Sequence, residues 1–278
     1  MFMRIVADSC CDVSPKIQER TKIKLVPVTI QIGDKGYRDD SNLDIDSLME
    51  DMKQSPEAPK TACPSPQDFI DQYKGEEKSV FVVTVSSKLS GTYKSAVLAK
   101  DIFLEEIEKK FIYVFDSLSA SIGETLVSLK ISDLINKGLK ENEIVEKVNT
   151  YISEMKTFLT VKNLDNLAKS GRISHIVAKV SSIMSVNPIM GSKDGDIVVQ
   201  EKVLGARRLL KRLVDIIGEQ GHNLEDKILG IAHCNCLEKA LAFKEEVLKR
   251  YNFKEIVIVR TAGASSVYAN QGGLVIAF

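Results

Sequence analysis

A turn rich in hydroxyl groups is the stretch of the sequence that most directly suggests binding chemistry. It follows an apolar run at residues 80–85, leads into a helical pattern, and contains Ser86, Ser87, Ser90 and Thr92. Backbone N–H groups at the start of a helix favour an anion, and hydroxyl groups donate hydrogen bonds to it without adding charge. The turn therefore predicts an anion-binding site. The alternative is that Ser90 or Thr92 only caps the following helix.

A second hydroxyl group is carried by a loop that the sequence makes stiff. Thr61 is followed by Pro64 and Pro66, which restrict the backbone until a helix begins at Ser65 and Pro66. Such a loop can hold the Thr61 hydroxyl in one place beside a ligand. Taken alone, the loop is better explained as an ordinary capped turn.

The pattern of strands and helices predicts an α/β protein with two domains. In the first half strands alternate with helices, which predicts a Rossmann-like parallel sheet. The second half combines a hairpin pattern with strand–helix–strand patterns, which predicts a mixed sheet. We predict domains at residues 1–156 and 157–278. The strands of the first half are predicted at residues 4–7, 24–32, 80–85 and 111–115.

The charge balance excludes a general attraction to polyanions. The chain has 38 basic and 38 acidic residues, so nothing draws it electrostatically to nucleic acid or to an anionic membrane. No apolar run reaches membrane-spanning length, and Asp8 interrupts the first apolar stretch too early for a signal peptide. These features predict a cytoplasmic protein without nucleic-acid binding and without stable membrane insertion.

The cysteines and histidines form no pattern typical of a metal or catalytic site. The five cysteines are irregularly spaced, and no second pair accompanies Cys234 and Cys236. The glycine patterns of dinucleotide and nucleotide phosphate sites are also missing, so neither a metal nor a cofactor is predicted. A Ser–His–Asp triad can be assembled on paper from Ser90, His233 and Asp8, but nothing in their spacing supports it.

Seven short motifs occur in order along the whole chain. They are Asp8-Ser9, residues 61–66, residues 89–93, Asp116-Ser117, residues 167–173, residues 187–189 and the glycine-rich end at 272–278. Each motif is weak alone, but together, in register, they are specific, and they resemble those of the DegV family. Members of this family include the FakB-type fatty-acid-binding subunits of bacterial fatty acid kinase.

The resemblance implies two α/β domains with a fatty acid buried between them. It implies that Thr61 and Ser90 hold the carboxylate. By the same resemblance, Gly91, Thr92 and Arg172 lie in the vicinity of the head group. Arg172 is equally well explained as a cation at a helix terminus, where it would interact with the helix dipole.

Tyr268 stands where the family often has a histidine that contributes to recognition of the head group. A tyrosine can donate its hydroxyl group to the carboxylate, but it cannot supply a positive charge. The resemblance therefore implies that Tyr268 is a third carboxylate-binding residue, through a hydrogen bond alone.

An apolar stripe supplies the candidate acyl channel. Its residues recur at helical spacing and continue into the next predicted strand. Without the resemblance, plain core packing would be the simpler explanation. The channel residues are predicted to be Ile176, Val180, Ile183, Met184, Ile189 and Met190.

The resemblance implies a lipid-binding protein that does no chemistry alone. It would present the carboxylate of a long-chain fatty acid to a partner kinase, which makes an acyl-phosphate from ATP. Two alternatives remain open: an acyl-ester hydrolase that uses Ser90 or Ser86, and a lipid-sensing regulatory protein. A basic helix is expected to be exposed, as a solvated face or a partner surface, through Arg207, Arg208, Lys211 and Arg212.

Overall fold

A computed structural model describes residues 3–161, 163–174 and 186–278 of the chain. Its strands are β1 Met3–Asp8, β2 Lys24–Val26, β3 Thr29–Ile32, β4 Lys35–Arg38, β5 Lys60–Ala62, β6 Ser79–Thr84, β7 Phe111–Asp116, β8 Thr157–Thr160, β9 Val186–Lys193, β10 Asp196–Leu204, β11 Ile228–His233, β12 Glu255–Arg260 and β13 Leu274–Ala277. Its helices are α1 Pro15–Thr21, α2 Ile45–Gln54, α3 Pro66–Tyr73, α4 Thr92–Glu106, α5 Ile122–Asn136, α6 Glu141–Glu154, α7 Asp165–Lys169, α8 Ala206–Gln220, α9 Leu237–Leu248 and α10 Gly263–Ala269.

The first half of the chain forms a parallel four-stranded sheet in the order β2-β1-β6-β7. Every residue of β6 is buried, because its β-branched and aromatic side chains are covered on both faces. The predicted Rossmann-like parallel sheet is confirmed. Since the strands are parallel, the turns that follow β1, β6 and β7 meet at one edge of the sheet.

The second half forms a six-stranded mixed sheet in the order β10-β9-β8-β13-β11-β12. Only the pair β11–β12 is parallel, and β9 and β10 form the predicted hairpin. The predicted mixed sheet is confirmed. The strands of this sheet all follow residue 156, while the parallel sheet ends at Asp116. The domain limits at residues 156 and 157 agree with this division and stay a prediction.

Helix α5 lies between the two large sheets and contacts strands of both. Val127 and Ile131 belong to the apolar core of the parallel sheet. Leu126 and Leu129, on another face of the helix, pack with residues of the mixed sheet. One helix therefore contributes to the cores of both halves.

A small sheet in the order β4-β3-β5 corrects one prediction. The single strand predicted at residues 24–32 is two strands, β2 in the parallel sheet and β3 in the small sheet. Pro27 separates them, because it has no N–H to donate and fixes its own φ angle. The Val28 N–H then donates to the Ser9 hydroxyl (3.0 Å) rather than to a strand. The pairing of β5 with β3 places Thr61 opposite Ile30.

Three helix starts carry capping side chains, and one of them is the start predicted at Ser65. Ser14, Asp44 and Ser65 each accept a backbone N–H in the first turn of their helix, and Ser65 with Asp68 forms a capping box. The basic helix is α8, whose residues 207, 208 and 211 are exposed as expected. Arg212 is the exception, since it is partly buried in ion pairs with Glu201 and Glu219.

Four of the predicted channel residues, Ile176, Val180, Ile183 and Met184, lie outside the described residues. Among the residues that are described, no helix is both long enough and apolar enough to span a membrane.

Candidate functional site

A largely apolar cavity lies where the turns of the parallel sheet meet the mixed sheet. It encloses about 960 Å³, counting the part that opens to solvent. Both halves of the chain contribute to its wall, because the turn after β6 meets β8, β9, β10 and β13 there. Side chains on this wall include Val85, Leu159, Leu167, Met190, Ile197 and Val275.

Three predicted carboxylate-binding residues line this cavity: Thr61, Ser90 and Tyr268. The Thr61 and Tyr268 hydroxyl oxygens lie 2.7 Å apart and share a hydrogen bond. Thr61 comes from β5 and Tyr268 from α10, so the fold joins two segments that are distant in sequence. All three side chains are partly exposed. We call these residues, together with Arg172, the polar end of the cavity.

Ser90 is held by the start of α4. Its hydroxyl oxygen lies 2.8 Å from that of Thr92 and also accepts the Thr92 N–H at 3.3 Å. Gly91 is the N-cap residue, and it offers no side-chain capping bond. The capping alternative is therefore partly correct, since Ser90 does accept from the helix start. Its partial exposure on the cavity wall leaves it able to bind a ligand as well.

Arg172 lies beside Tyr268, with its guanidinium carbon 5.2 Å from the centre of the tyrosine ring. Its Nε donates to the Leu89 carbonyl oxygen (3.0 Å) and its Nη1 to that of Ser170 (3.1 Å). Ser170 is the C-cap residue of α7, so the expected contact with a helix terminus is present. Arg172 also lines the cavity, which places one cation at the polar end.

The loop after Thr61 is attached to the same helix that carries Ser90. The Ser95 hydroxyl in α4 donates to the Pro64 carbonyl oxygen at 2.6 Å. Cys63, an exposed thiol in this loop, also lines the cavity. The two hydroxyl-bearing loops are thus fixed to each other through α4.

The two channel residues that the structure describes differ in position. Met190 lines the cavity, but Ile189 packs on the other face of the sheet with Leu209 and Leu213 of α8. The channel assignment of Ile189 is wrong, because successive side chains of a strand point to opposite faces. The assignment treated both residues as one stripe and ignored this alternation.

Sequence reasoning missed a group of buried carboxyl groups behind the cavity wall. We call Asp8, Asp12, Asp39 and Glu124 the acidic cluster; each is at most 4 % exposed. Burial raises the pKa of Asp8 to about 6 and that of Asp12 to about 7, and it also raises the pKa of Asp39. No sequence pattern could have joined them, since they come from separate turns and from α5.

Three of these carboxyl groups are partnered by backbone N–H groups. Asp8 accepts from Cys10 (2.9 Å) and Val85 (2.8 Å), which ties the turn after β1 to the turn after β6. Asp39 accepts from Gly263 and Ala264 at the start of α10, both at 2.8 Å. Asp12 accepts from Ala262 and from the Ser121 hydroxyl. They therefore hold the turns that shape the cavity.

Among the residues that the structure describes, no catalytic base contacts the serines of the proposed hydrolase chemistry. The Ser86 hydroxyl is buried and donates to the Gly195 carbonyl oxygen at 2.8 Å. His233 accepts the Cys236 N–H at 3.4 Å, and burial lowers its pKa. Asp8 is engaged as described above. In the described part of the chain, Ser90, His233 and Asp8 make no hydrogen bond to one another. The Ser–His–Asp triad considered from the sequence is therefore not formed.

The fold and the cavity define an α/β protein with two large sheets, one small sheet and a largely apolar cavity where the two halves meet. The sequence profile of the DegV family matches residues 3–278. The chain belongs to the DegV family, as the resemblance of its motifs predicts. It is 34% identical over 281 residues to a DegV domain-containing protein of Streptococcus pneumoniae, with 100% of this chain and 99% of that protein covered.

Solved structures show the same architecture. A DegV family protein from Ruminococcus gnavus, described with vaccenic acid, superposes with a TM-score of 0.96 at 38% identity and full coverage of both chains. The Streptococcus pneumoniae fatty acid kinase B3 protein, loaded with linoleic acid, has a TM-score of 0.93 at 33% identity, covering 100% of this chain and 99% of that one. Both are long-chain fatty acid complexes.

Proposed function

We propose that the chain binds one long-chain fatty acid in the cavity, with the carboxylate at the polar end and the acyl chain between the two sheets. The observation that carries this proposal is a largely apolar cavity whose lining includes Thr61, Ser90 and Tyr268. The vaccenic and linoleic acids in the two similar structures support this class of ligand.

The apolar wall supplies most of the binding energy in this proposal. Burying ~14 methylene groups at ~0.8 kcal/mol each gives a gross driving force on the order of 11 kcal/mol. A hydrogen bond from a hydroxyl group to a carboxylate adds roughly 1.5–3 kcal/mol at best. The acyl chain therefore determines most of the affinity, and the hydroxyl groups determine the orientation of the ligand in the cavity.

The acyl channel is proposed to include Met190 of β9. The predicted residues Ile176, Val180, Ile183 and Met184 belong to the same proposal, although they lie outside the described residues. Gly91 and Thr92 support Ser90 at the head group, and Arg172 balances the charge of the carboxylate.

We further propose that the bound carboxylate is presented to a partner kinase that holds ATP. A carboxylate oxygen attacks the γ-phosphorus, a new O–P bond forms, the bond to the bridging oxygen breaks, and ADP leaves. The carboxylate is already ionised, so no base is required of this chain. Support comes from the name of one similar structure, a fatty acid kinase B protein, and from the partial exposure of Thr61, Ser90 and Tyr268.

The presentation step is tested with Ser90→Ala. We expect acyl-phosphate formation with a fatty acid kinase and ATP to fall further than bound lipid, since the apolar chain still holds the ligand. Ser87→Ala is a matched control, because Ser87 lies in the same turn but outside the cavity lining. Turnover that falls no further than lipid content would contradict the presentation role.

The ligand itself is tested by extraction and mass spectrometry of the lipid that co-purifies with the recombinant protein. A stoichiometric long-chain fatty acid is the expected result, and an empty cavity that does not take up added oleate would overturn the proposal. The same preparation checks the hydrolase alternative, for which the described residues place no base beside Ser90. Chromogenic ester turnover that is lost in Ser90→Ala would favour it. A partner other than a kinase would favour the lipid-sensing regulator. The cytoplasmic location stays a prediction.

A further inference from the structure

Three potential metal ligands converge behind the cavity wall, from the end of β1, the turn that follows it and α5. One oxygen of Asp8, the sulfur of Cys10 and one oxygen of Glu124 all lie within 4.8 Å of one another. Asp8 and Glu124 are 0 % exposed, whereas Cys10 is partly exposed and lines the cavity. This spread suits ligands around a single ion, because metal–ligand bonds at such sites measure about 2.0–2.3 Å.

Glu124 distinguishes this cluster from an ordinary network of buried acids. Both of its carboxylate oxygens are inaccessible to solvent, and neither has a hydrogen-bond partner among the described residues. Burial raises its pKa well above the usual value, and the charges of Asp8 and Asp12 raise it further. The nearby Ser121 backbone acts in the opposite direction and lowers this pKa, but it makes no hydrogen bond to either oxygen of Glu124. Such an unpartnered buried carboxyl group is rare, because burying it without compensation is costly.

The other two ligands are already held in place by the backbone. The Asp8 oxygens accept the N–H groups of Cys10 and Val85, at 2.9 and 2.8 Å, and a carboxylate has lone pairs left for a metal. Such outer hydrogen bonds orient metal ligands in known sites. The neighbouring thiol, Cys11, faces Thr125 and Ser128 instead, so Cys10 alone supplies sulfur to the cluster.

We propose that Asp8, Cys10 and Glu124 bind one divalent cation of the zinc class. Thiolate sulfur disfavours Ca²⁺ and Mg²⁺, which take oxygen ligands, and two carboxylates with one thiolate suit Zn²⁺. The cation satisfies the unpartnered oxygens of Glu124. It also compensates the negative charge of the three ligands. If Glu124 were instead neutral, its O–H group would need an acceptor, and none is found among the described residues. The cysteine spacing could not predict this site, since Glu124 is more than a hundred residues away.

The test is titration of chelator-treated, full-length protein with Co²⁺, followed by displacement with Zn²⁺. We expect one Co²⁺ per chain with a thiolate-to-cobalt absorption band that Zn²⁺ removes. Cys10→Ser abolishes the band, and Glu124→Gln lowers the affinity by about 100-fold or more, beyond what loss of an outer partner costs. Cys63→Ser, which removes an exposed thiol, leaves the absorption band and the Co²⁺ affinity unchanged.

A second measurement covers the case in which the variants fold poorly. Zn²⁺ raises the melting temperature of the chelator-treated protein and of Cys63→Ser but not of Glu124→Gln. No band, a band lost in Cys63→Ser but kept in Cys10→Ser, or no melting shift in the unmodified chain would each overturn the proposal. In those cases Glu124 is simply a protonated acid. Lipid content is measured on the same samples, so failure of the metal site and failure of fatty acid binding are distinguishable.

Discussion

The polar end of the cavity and the acidic cluster both gather side chains from strands, helices and turns, yet they offer different groups to a ligand. The polar end offers hydroxyl groups and the Arg172 cation, and its side chains are partly exposed. The acidic cluster offers four carboxyl groups, all buried. The first leaves donors that suit an anionic ligand group, whereas the N–H groups around the second already donate to its own carboxyl groups. The two sites therefore differ in what they offer to a charged ligand.

This difference gives the proposed fatty acid a direction. A carboxylate placed near Asp8 would have to compete for N–H groups of Cys10 and Val85 that already donate to that side chain. At the polar end the same group meets donors and a cation. We expect the orientation of the ligand to follow from this contrast as much as from the hydroxyl groups alone.

Asp39→Ala is expected to have the largest effect, because it breaks the acidic cluster. Asp39 accepts from Ser9, Gly263 and Ala264, and its loss leaves three buried donors without a partner. The free energy of unfolding should fall by roughly 3–5 kcal/mol, as measured by urea denaturation. Asp34→Ala, in the exposed turn before β4, should change it by less than about 0.5 kcal/mol. Equal effects of the two changes would show that the cluster has no structural role.

Ala120→Phe fills part of the cavity, which Ala120 lines, and should weaken lipid binding next most. The added ring displaces at least two methylene groups, at about 0.8 kcal/mol each, so affinity falls roughly tenfold. Lipid content after extraction and competition with a fluorescent fatty acid measure it. Ala206→Phe, at an exposed position of α8, is the control; unchanged affinity in Ala120→Phe would place the acyl chain elsewhere.

Tyr268→Phe sharpens the comparison at the polar end. It removes the hydrogen bond with Thr61 and one donor to the proposed carboxylate, a loss of about 1 kcal/mol or roughly fivefold in affinity. The same binding assay reports it. Tyr93→Phe removes a hydroxyl group outside the cavity lining and should leave affinity unchanged. If both variants bind alike, Tyr268 makes no contact with the head group.

Tyr268→His should give the smallest effect, a new dependence on pH. Imidazole gains a proton as the pH falls through about 6.5, so attraction to the carboxylate rises and binding becomes about 2–3-fold tighter at pH 6 than at pH 8. The Arg172 guanidinium beside this ring opposes protonation, which keeps the effect modest. Fatty acid affinity measured across this range should vary less in the unmodified chain. A flat profile for the variant would mean that position 268 does not face the carboxylate.

Local patterns predicted much of the fold. The buried strand β6 and the capped helix starts at Ser14 and Ser65 follow from side-chain type and short-range hydrogen bonding, which the sequence displays directly. The prediction of one strand across Pro27 was wrong. The chain switches there from the parallel sheet to the small sheet, and this switch depends on which distant strands β2 and β3 pair with. The assignment of Ile189 to the acyl channel was wrong because it extended the spacing of a helix into a strand, where side chains alternate between two faces.

The candidate site was predicted only in part. Thr61, Ser90 and Tyr268 do line one cavity, but the resemblance to a family brought them together rather than their spacing. The acidic cluster was not predicted at all. Its members are ordinary acids in sequence, and only the packing of α5 against the turn after β1 brings Glu124 to Asp8 and Cys10.

Helix α5 also limits how a lipid could leave. If the mixed sheet moved away from the parallel sheet, one face of this shared helix would become exposed, including Ile122, Leu126 and Leu129. Exposing these side chains costs about 1.5–3 kcal/mol each, which approaches the stability of a whole domain of about 5–15 kcal/mol. Exchange of the proposed fatty acid is therefore expected to proceed by displacement of the loops beside Thr61 and Ser90, while the two large sheets stay packed on α5.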